Sequence, residues 1–400
     1  MTSSDQPSRP HKTATRLSHS GRDSFGHHGA VNVPVYRAST ILFPDQETFE
    51  DLTSRPFDTV QYGRTLTPSS DALESAVAEL ENGYRSISVS SGAAACSTAL
   101  LAHLKAGDHL LMVDSAYGPT RRMCDTILST YGVETTYYDP LVGAGIADLV
   151  RPNTTVIYLE SPGSLTFEVQ DVPAIVAVAK ARGITTIMDN TWASPLFYKP
   201  LDHGVDVSVQ AGTKYIVGHA DVLIGLITLP DQASFRRVKR VSGTLGQQAG
   251  PDDVYLALRG LRTIGVRLPQ HQRSALTVAE WLEARPEVER VLYPPLPSDP
   301  GHAIWVRDFA GASGLMGVVL AEGASEAGIR RMMNGFELFG IGASWGGFES
   351  LVLWTQPEKG RTATTWPAPG RTLRFHVGLE DPGDLIADLE AAFHRLGAAG

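Results

Sequence analysis

The sequence predicts an α/β fold with a mostly parallel central sheet, followed by a smaller C-terminal α+β domain. From about residue 70 to residue 230, short strands of nearly continuous Val, Ile and Leu alternate with amphipathic helices. Strands of this kind are buried on both faces, as in a parallel sheet that helices cover on both sides. After about residue 252, two helices lead into several short strands and a last helix. This change of pattern predicts the second domain.

In the first of these regions, helices and strands alternate regularly. Asp71 is expected to cap a helix that ends at Asn82 and Gly83, because Asp favours N-caps and Gly ends helices. Gly92 begins a helix of small residues directly after a short strand. We predict helices at 71–82, 93–105, 119–131 and 172–182, and strands at 86–90, 109–114, 154–160, 184–189, 205–210 and 222–229.

The two ends of the chain complete the prediction. The first 30 residues are polar, which indicates a disordered lead-in, whereas 31–70 is Pro-rich but too apolar for a linker, so we expect an extended arm that packs on another surface. We divide the chain into an arm at 1–65, a large domain at 66–257 and a small domain at 258–400. The C-terminal region is predicted to contain helices at 252–263, 266–284 and 382–396 and strands at 288–293, 317–320, 350–354 and 372–378.

Composition excludes several classes of protein. The 400 residues are 42% hydrophobic, which excludes a disordered polar chain. Lys and Arg number 34 against 43 Asp and Glu, a net charge of −9 with no basic run, so neither nucleic acid nor an anionic membrane is an expected partner. No apolar run approaches the roughly 20 residues of a membrane span, and the N-terminus lacks the apolar segment of a secretory signal. With Cys96 and Cys124 as the sole cysteines, these features predict a cytoplasmic protein without disulfides.

Most familiar catalytic motifs are missing from the sequence. It has no P-loop, no complete GxGxxG after a strand, no HExxH and no CxxC, so we predict neither a nucleotide site of those kinds nor a metal site. One short motif does match, because residues 342–346 (GASWG) fit the GxSxG elbow of α/β-hydrolases with Ser344 as nucleophile. Asp381 and His394 follow in the order of a catalytic triad. A serine hydrolase is therefore one alternative function.

A stronger combination lies at the carboxyl ends of the predicted strands, where ligands bind in sheets of this type. Residues 91–93 (SGA) form a strand-to-helix junction whose N–H groups suit an anion. Asp189 ends an apolar strand, and Lys214 follows the strand at 205–210. Taken singly, these features are also explained by tight packing, a helix cap and a solvated lysine. Together they supply what pyridoxal 5'-phosphate (PLP) requires: an amine for its aldehyde, a carboxylate for its ring nitrogen and a cradle for its phosphate.

Long stretches of the chain also resemble one family. They include QYGRTLTPSSDALESAVAELENG, KAGDHLLMVDSAYGPTRRMCDTIL, YLESPGSLTFEVQDVPAIV, IMDNTWASPLFYKPLDHGVDVSVQAGTKYIVGHADVLIG, SWGGFESL and LRFHVGLEDPGDLIADL, and the similarity covers roughly residues 15–397. The chain resembles the PLP-dependent enzymes of Cys and Met metabolism, which have the aspartate-aminotransferase-like fold (fold type I). The resemblance implies PLP as cofactor, a small sulfur amino acid as substrate, and a homotetramer made of two dimers whose active sites are shared between subunits.

The resemblance implies roles for individual residues at the cofactor. Lys214 would be the Schiff-base lysine, Asp189 the partner of the pyridine nitrogen and Tyr117 the ring that stacks on the cofactor; these three are also the implied catalytic residues. The remaining cofactor-binding residues would hold the phosphate, and they are Gly92 and Ala93 through their backbone, Thr213 through its hydroxyl, and Tyr62 and Arg64 from the arm of the neighbouring subunit.

The substrate site is implied in the same way. Arg374 would clamp the α-carboxylate through two parallel hydrogen bonds, the geometry that suits guanidinium best. Ser344 would help to hold that carboxylate, with Trp345 beside it, and Tyr117 would also contact the substrate. On this interpretation, the apparent hydrolase elbow around Ser344 is a substrate-binding loop.

Three departures from the γ-acting members of the family match its β-lyases. Ala211 replaces the Ser of SxTK, Trp345 replaces the Leu of SLGG, and residues 163–165 (GSL) replace the x-Asn-Pro that usually follows Glu-x-Pro. The predicted reaction is α,β-elimination of L-cystathionine to homocysteine, pyruvate and ammonia, a step of methionine biosynthesis, with cystine and other cysteine thioethers as further candidates. A γ-acting lyase is the alternative. The resemblance does not identify the residues that bind the far end of the substrate, because Arg122 and the tyrosine-free segment 236–247 depart from enteric-type β-lyases.

Overall fold

The computed structural model describes residues 11–397 and contains two β-sheets flanked by helices. The larger sheet has seven strands in the order β1-β7-β6-β5-β4-β2-β3, and all neighbours from β6 to β3 are parallel. In this sheet β7 runs antiparallel to both of its neighbours, β1 and β6, and the mostly parallel central sheet is confirmed. Its strands are β1 Arg85–Val89, β2 His109–Val113, β3 Glu134–Tyr138, β4 Thr154–Glu160, β5 Thr185–Asp189, β6 Val207–Gln210 and β7 Gly225–Leu229.

The second sheet belongs to the C-terminal part of the chain. It has five strands in the order β10-β11-β12-β9-β8, paired antiparallel except for β10 with β11. This mixture of antiparallel strands and helices matches the predicted α+β region, while the residue bounds of the three domains stay a prediction. The strands are β8 Val288–Leu292, β9 Leu315–Leu320, β10 Gly340–Ile341, β11 Leu351–Thr355 and β12 Thr372–His376.

Helices cover both sheets. None of those in residues 11–397 is long and apolar enough to cross a membrane. Cys96 and Cys124 are both buried as free thiols. The helices are α1 Thr13–His19, α2 Gln46–Ser54, α3 Pro68–Leu80, α4 Gly92–His103, α5 Gly118–Met123, α6 Val172–Ala181, α7 Ser194–Phe197, α8 Gln232–Thr244, α9 Pro251–Glu283, α10 His302–Asp308, α11 Glu326–Asn334 and α12 Pro382–Gly397.

Burial of the central strands explains their apolar sequences and sets the place of the site. All five residues of β2 and of β7 are buried, and each large apolar side chain removed from water contributes roughly 1.5–3 kcal/mol to folding. Parallel strands end at the same edge of a sheet, so the residues at their carboxyl ends lie side by side. Glu160 at the end of β4 is accordingly in register with Asp189 at the end of β5.

The prediction of two helices at 252–263 and 266–284 was wrong, because α9 is continuous from Pro251 to Glu283. Pro269 lies inside it and removes one backbone hydrogen bond. Tertiary contacts offset that loss: the guanidinium of the buried Arg267 donates to the carbonyl groups of Tyr215 and Ile216. The helix also runs across residue 257, where the sequence places a domain boundary.

The prediction of a disordered lead-in was also wrong for its described part, since Thr13–His19 forms α1; residues 1–10 lie outside the described residues. Leu17 is buried against α9, and its carbonyl accepts a hydrogen bond from Arg262 (2.7 Å). Arg16 forms an ion pair with Glu79 (3.2 Å). One apolar residue gives little periodic signal in the sequence. The helix is stabilised instead by the packing of Leu17 on α9, which no local pattern reports.

Smaller differences concern helix ends and weakly apolar elements. Thr67, rather than Asp71, caps α3. The helix predicted at 119–131 ends at Met123 and continues as the π-turn Cys124–Leu128. The sequence does not predict α2, α7, α8, α10, α11, β3 or β10. Edge strand β3 (ETTYY) is mostly polar and partly exposed, so the apolar runs that reveal central strands are missing from it.

A buried carboxylate connects the large sheet to the C-terminal region. Asp114, directly after β2, accepts hydrogen bonds from the backbone N–H groups of Thr362 (2.9 Å), Ala363 (3.1 Å) and Thr364 (2.9 Å). It also pairs with Arg121 (2.9 Å). Burial raises the pKa of Asp114, but these hydrogen bonds outweigh burial and hold its pKa below the usual value. The segment around Thr362 is therefore fixed to the large sheet by one ionised side chain.

We expect Asp114→Ala to lower the free energy of unfolding by about 3–5 kcal/mol, because removing one partner leaves the buried Arg121 uncompensated and three backbone donors unpaired. Urea denaturation followed by circular dichroism measures the change. Asp51→Ala is the matched control, since Asp51 pairs with Arg55 on the exposed surface of α2 and should contribute under about 0.5 kcal/mol. Equal effects of the two substitutions would contradict the assigned role of Asp114.

Candidate active site

A cavity of about 310 Å³ lies at the carboxyl edge of the large sheet, between that sheet and residues of the second one. The structure brings together at this cavity most of the residues to which the sequence assigned a role. Ser344 adjoins it through a hydrogen bond to Lys214. The assigned residues that line the cavity are Gly92, Ala93, Tyr117, Asp189, Thr213, Lys214, Trp345 and Arg374.

Lys214 lies in the turn that follows β6, where the backbone holds it firmly. Its N–H donates to the carbonyl of Ala211 (3.0 Å), and its carbonyl accepts from the N–H of Gly218 (2.7 Å). In the cavity, its Nζ donates to Oγ of Ser344. Burial, and next the positive charge of Arg374, lower the pKa of Lys214 to about 8. An amine with this pKa is partly neutral near physiological pH and is able to act as nucleophile or base.

Asp189 presents a buried carboxylate to the same cavity. Its Oδ1 accepts hydrogen bonds from the N–H (3.0 Å) and the hydroxyl of Thr191. Within residues 11–397, the one hydrogen-bond partner of its Oδ2 is the thiol of Cys96 at 3.7 Å, and a thiol is a weak donor. Burial raises the pKa of Asp189 above its usual value, and the hydrogen bonds from Thr191 offset only part of that rise. A cationic group beside Oδ2 would stabilise the ionised form of this carboxyl.

Helix α4 begins at the cavity and offers an anion cradle. Oγ of Ser91 caps the helix by accepting from the N–H of Ala94 (3.1 Å). The N–H groups of Gly92 and Ala93 belong to the first turn, whose N–H groups have no partner within the helix. A side chain on Gly92 would place its Cβ 2.5 Å from the Cβ of Ala211, so the helix can start this close to the end of β6 only with glycine. The free N–H groups and the positive helix end suit a phosphate.

Thr213 lines this end of the cavity, but its hydroxyl already has partners. It donates to the carbonyl of Ile224 (3.2 Å) and accepts from the N–H of the same residue (2.9 Å). A hydroxyl has one hydrogen to donate, so Thr213 must exchange the Ile224 carbonyl for a phosphate oxygen to perform the role implied by the sequence. That role stays a prediction.

Tyr117 is positioned by Glu160, a residue to which the sequence analysis gave no role. Oε2 of Glu160 accepts from the backbone N–H of Tyr117 (2.7 Å). Burial and the negative charge of Asp189 raise the pKa of Glu160. Tyr117 is 43% exposed and lines the cavity. Position at the end of a buried strand is the sequence signal by which Glu160 is recognisable.

Arg374 on β12 and the loop that carries Ser344 and Trp345 form the opposite wall. The Nη2 of Arg374 donates to the backbone carbonyl of Ser344 (2.8 Å), which orients the guanidinium. Burial lowers the pKa of Arg374 to about 10, so the group stays cationic at neutral pH. The centre of the Trp345 ring lies 5.3 Å from Nζ of Lys214. With its other N–H groups, the guanidinium is able to bind a carboxylate next to the lysine.

The hydrolase alternative built on Ser344 is not supported. A nucleophile elbow joins a strand to a helix, whereas Ser344 lies in the loop between strands β10 and β11. Its Oγ accepts from Lys214, and His394 is exposed on α12. The glycines of the GxSxG motif belong instead to this loop between two strands, in which Ser344 and Gly346 have φ values of 79° and 92°.

Tyr62 and Arg64 do not line the cavity of their own chain. Arg64 donates to the carbonyl of Gly243 and lies 5.8 Å from the centre of the Tyr62 ring. Arg64 and Gly243 both line a second, smaller cavity. Gly243 belongs to the tyrosine-free segment 236–247. Arg122 is exposed on α5 and lines neither cavity. The roles of Tyr62 and Arg64 toward a neighbouring subunit stay predictions.

Comparison with known proteins identifies the family. The sequence pattern of the family of Cys/Met metabolism PLP-dependent enzymes matches residues 14–394. The chain therefore belongs to this family, and its fold is the fold type I of PLP-dependent enzymes.

Individual relatives match over nearly their whole length. The chain is 43% identical to cystathionine beta-lyase MetC of Escherichia coli, over 96% of this chain and 99% of that protein. It is 39% identical to an L-alanine/L-glutamate racemase of Wolbachia pipientis, over 96% and 98% of the two chains. Among solved structures, a cystathionine gamma synthase from Xanthomonas oryzae, in complex with aminoacrylate and cysteine, superposes with a TM-score of 0.89 at 31% identity, covering 97% of this chain and 99% of that one.

The residues at the cavity fit the cofactor of the family. Lys214 supplies an amine whose pKa is lowered, and Asp189 supplies a buried carboxylate with a weakly partnered oxygen. The start of α4 supplies backbone N–H groups beside Gly92, where a Cβ would collide. Each of these groups meets one requirement of PLP: the aldehyde, the ring nitrogen and the phosphate. No group of three or more side chains suited to a metal ion occurs among residues 11–397.

Proposed function

We propose that this protein is a PLP-dependent carbon–sulfur lyase that cleaves L-cystathionine by α,β-elimination to homocysteine, pyruvate and ammonia. The observation that carries the proposal is the convergence of Lys214, Asp189 and Arg374 on one cavity. Identity of 43% to a cystathionine beta-lyase over almost the full length supports the choice of reaction. Because homocysteine is the thiol product, the proposed reaction is a step of methionine biosynthesis. Cystine and other cysteine thioethers are further candidate substrates.

Substrate binding begins at the wall formed by β12. The guanidinium of Arg374, oriented by the carbonyl of Ser344, takes the α-carboxylate through two N–H groups. Oγ of Ser344 is placed to assist it. The carboxylate also brings a negative charge between Arg374 and Lys214, whose mutual repulsion contributes to the lowered pKa of the lysine. This wall fixes the amino acid with its Cα near Nζ of Lys214.

Proton transfer is then the task of Lys214. When bound, PLP withdraws electrons from Cα, and Asp189 keeps its ring nitrogen protonated. The neutral amine of Lys214 removes the proton from Cα, and the Cβ–S bond breaks with the electron pair going to sulfur. Lys214, assisted by Tyr117, returns a proton to the departing thiolate. The 2-aminoacrylate that is released takes up one water and yields pyruvate and ammonia, which balances the reaction.

The product of cleavage tests the proposal against its rivals. Purified enzyme loaded with PLP is incubated with L-cystathionine, and the 2-oxo acid is identified by chromatography. Pyruvate with homocysteine is expected. 2-Oxobutyrate with cysteine would replace the proposal by a γ-lyase, against which Ala211 and Trp345 argue. Because one relative is named a racemase, L-alanine and L-glutamate are tested in parallel, and racemisation without lyase activity would also contradict the proposal.

Reassembly of the enzyme from apoprotein and PLP should depend on the protonation of Lys214. Only the neutral amine attacks an aldehyde, so the rate is expected to rise about tenfold per pH unit below the pKa and to level off above pH 8. Stopped-flow absorbance measures the rate. Removing the positive neighbour in Arg374→Leu should move the midpoint to higher pH, since burial alone then lowers the pKa. A midpoint near the ordinary lysine value in both proteins would contradict this environment for Lys214.

Trp345 is the residue in the pocket that we expect to influence which bond is cleaved. A large ring beside Lys214 narrows the space in which the side chain of the substrate turns. Trp345→Leu is expected to change the ratio of pyruvate to 2-oxobutyrate formation by about tenfold, the usual effect of reshaping an apolar pocket. Trp354→Leu, which alters a tryptophan outside the cavity, is the control. An unchanged ratio in Trp345→Leu would remove the ring from the explanation of specificity.

The assembly proposed for this enzyme is a homotetramer of two dimers in the cytoplasm. Tyr62 and Arg64 then reach the phosphate site of the neighbouring subunit, which is supported by their position outside their own cavity. Analytical ultracentrifugation gives the subunit number. Mixing Arg64→Ala with Lys214→Ala subunits should restore some activity, because hybrid dimers contain one intact shared site; failure of any mixture to do so would contradict a shared site.

A further inference from the structure

His376 is a buried histidine that the proposed mechanism does not use. It lies on β12 two residues after Arg374, so both side chains point to the same face of the sheet. The residue is 1% exposed. Burial, and next the neighbouring His271, lower the pKa of His376 to about 3. The imidazole is therefore neutral, with one nitrogen as donor and the other as acceptor.

The imidazole contacts the loop that carries Ser344 and Trp345. Its Nε2 lies 3.1 Å from the backbone nitrogen of Gly346 and 3.1 Å from the carbonyl oxygen of Gly347. One of these groups is a donor and the other an acceptor. Either neutral tautomer of His376 therefore has a backbone partner in the same two residues, and the loop is held in both cases.

The other side of the loop rests on the catalytic lysine. A Cβ added to Gly346 would lie 2.9 Å from the backbone carbon and Cα of Lys214. The loop is thus packed between the backbone of Lys214 and the ring of His376. Ser344, at its start, has a φ of 79°, a conformation that a residue with a side chain keeps only when its surroundings impose it.

Tyr215 contacts both His376 and Trp345. Its hydroxyl lies 3.4 Å from Nδ1 of His376 and accepts from the N–H of Gly314 (2.9 Å). Its ring centre lies 5.4 Å from that of Trp345. His376 therefore contacts the loop through one nitrogen and the residue that supports Trp345 through the other.

We infer that His376 is a positioning residue for the α-carboxylate of the substrate: it holds the Ser344–Gly347 loop in the shape in which the Ser344 carbonyl orients Arg374. The inference rests on the proposed function in taking Arg374 as the carboxylate clamp. Without the imidazole, the loop loses a backbone hydrogen bond on the side opposite Lys214. The guanidinium then loses its fixed acceptor, and recognition of the carboxylate weakens while the cofactor site is left in place.

Two reagents separate carboxylate recognition from the rest of the chemistry. Aminooxyacetate and methoxyamine carry the same aminooxy group, which attacks bound PLP with a change in absorbance, but only the first has a carboxylate. The ratio of their second-order rate constants on the holoenzyme therefore measures carboxylate recognition. We expect His376→Leu to lower this ratio at least about tenfold by slowing aminooxyacetate, with methoxyamine changed by less than about twofold. In turnover, KM should rise more than kcat falls.

Matched variants distinguish positioning from a structural effect. The amide of His376→Gln reaches the place of Nε2 and offers both a donor and an acceptor, so it should restore the ratio; His376→Asn, whose shorter amide reaches only toward Tyr215, should not. His271→Asn is the control, because His271 is equally buried and its ring centre lies 5.3 Å from that of His376, but its Nδ1 contacts the carbonyl of Val377 and not the loop. It should keep the wild-type ratio.

The outcomes are separable from those of the proposed function. A ratio within about twofold of wild type in His376→Leu, or in His376→Asn if the leucine variant does not fold, overturns the inference. An equal slowing of both reagents overturns it as well, since that indicates a general disturbance of the pocket. If wild-type enzyme releases no pyruvate from L-cystathionine but shows a carboxylate preference that His376→Leu loses, the proposed reaction is wrong and the positioning role stands.

Discussion

Replacing Lys214 by Ala is expected to lower kcat for pyruvate release from L-cystathionine by at least about 10³-fold. General base catalysis alone contributes roughly 10²–10⁴-fold, and this lysine is proposed to act as base, acid and covalent anchor. Lys214 is the lysine that lines the cavity, and the burial that lowers its pKa to about 8 makes it effective near neutrality. Single-turnover absorbance and a 2-oxo acid assay measure the loss.

Two controls make this result specific to the amine. Lys199→Ala removes another partly buried lysine, whose pKa is also lowered by burial but which lies outside the cavity; its activity should be unchanged. Addition of a small amine such as ethylamine should restore part of the activity of Lys214→Ala, because a free amine is able to enter the space of the missing side chain and accept the proton. Undiminished turnover of Lys214→Ala without added amine would refute the mechanism.

Replacing Arg374 by Leu is the second change from which we expect a large effect. Removing one partner of a desolvated ionic contact costs about 2–5 kcal/mol, which corresponds to a fall in kcat/KM of about 30-fold or more. The loss should be carried mainly by weaker binding of amino acids, because Asp189 and the start of α4 do not depend on Arg374 for any hydrogen bond.

Arg374→Lys distinguishes charge from geometry at the same position. Lysine keeps the positive charge but lacks the planar fork that binds a carboxylate bidentately and reaches the Ser344 carbonyl at the same time. We expect it to recover only a minor part of the lost kcat/KM. Steady-state kinetics with L-cystathionine provide the comparison, and wild-type kinetics in Arg374→Leu would mean that the substrate carboxylate binds elsewhere.

Residues at strand ends show how far the site is predictable from sequence. Asp189 and Lys214 follow apolar runs, so their place at the carboxyl edge of the sheet follows from periodicity alone. The convergence of Arg374 on them does not, because it comes from the second sheet, more than 150 residues further along the chain. The resemblance to the family supplied that residue, and the structure supplied the Ser344 carbonyl that orients it.

Elements of weak local signal mark the limit of the fold prediction. The break expected near residue 265 in α9 is absent, because Arg267 bonds to carbonyl groups of a segment about 50 residues earlier in the chain. Helix α1 forms around one buried leucine, Leu17. In both cases the stabilising partner is distant in sequence, and no local pattern of apolar residues reports it.

The sequence by itself determined the apolar strands, their alternation with helices in a mostly parallel sheet, and the reactive residues at the strand ends. These features depend on burial and on the spacing of apolar residues along the chain. Only the tertiary structure decided what holds those residues in place. Three of these contacts are hydrogen bonds between distant segments: Glu160 to the backbone of Tyr117, Asp114 to the backbone of Thr362, and His376 to the backbone of Gly346. Such bonds require two groups to meet within about 3 Å, and that proximity exists only once the chain has folded.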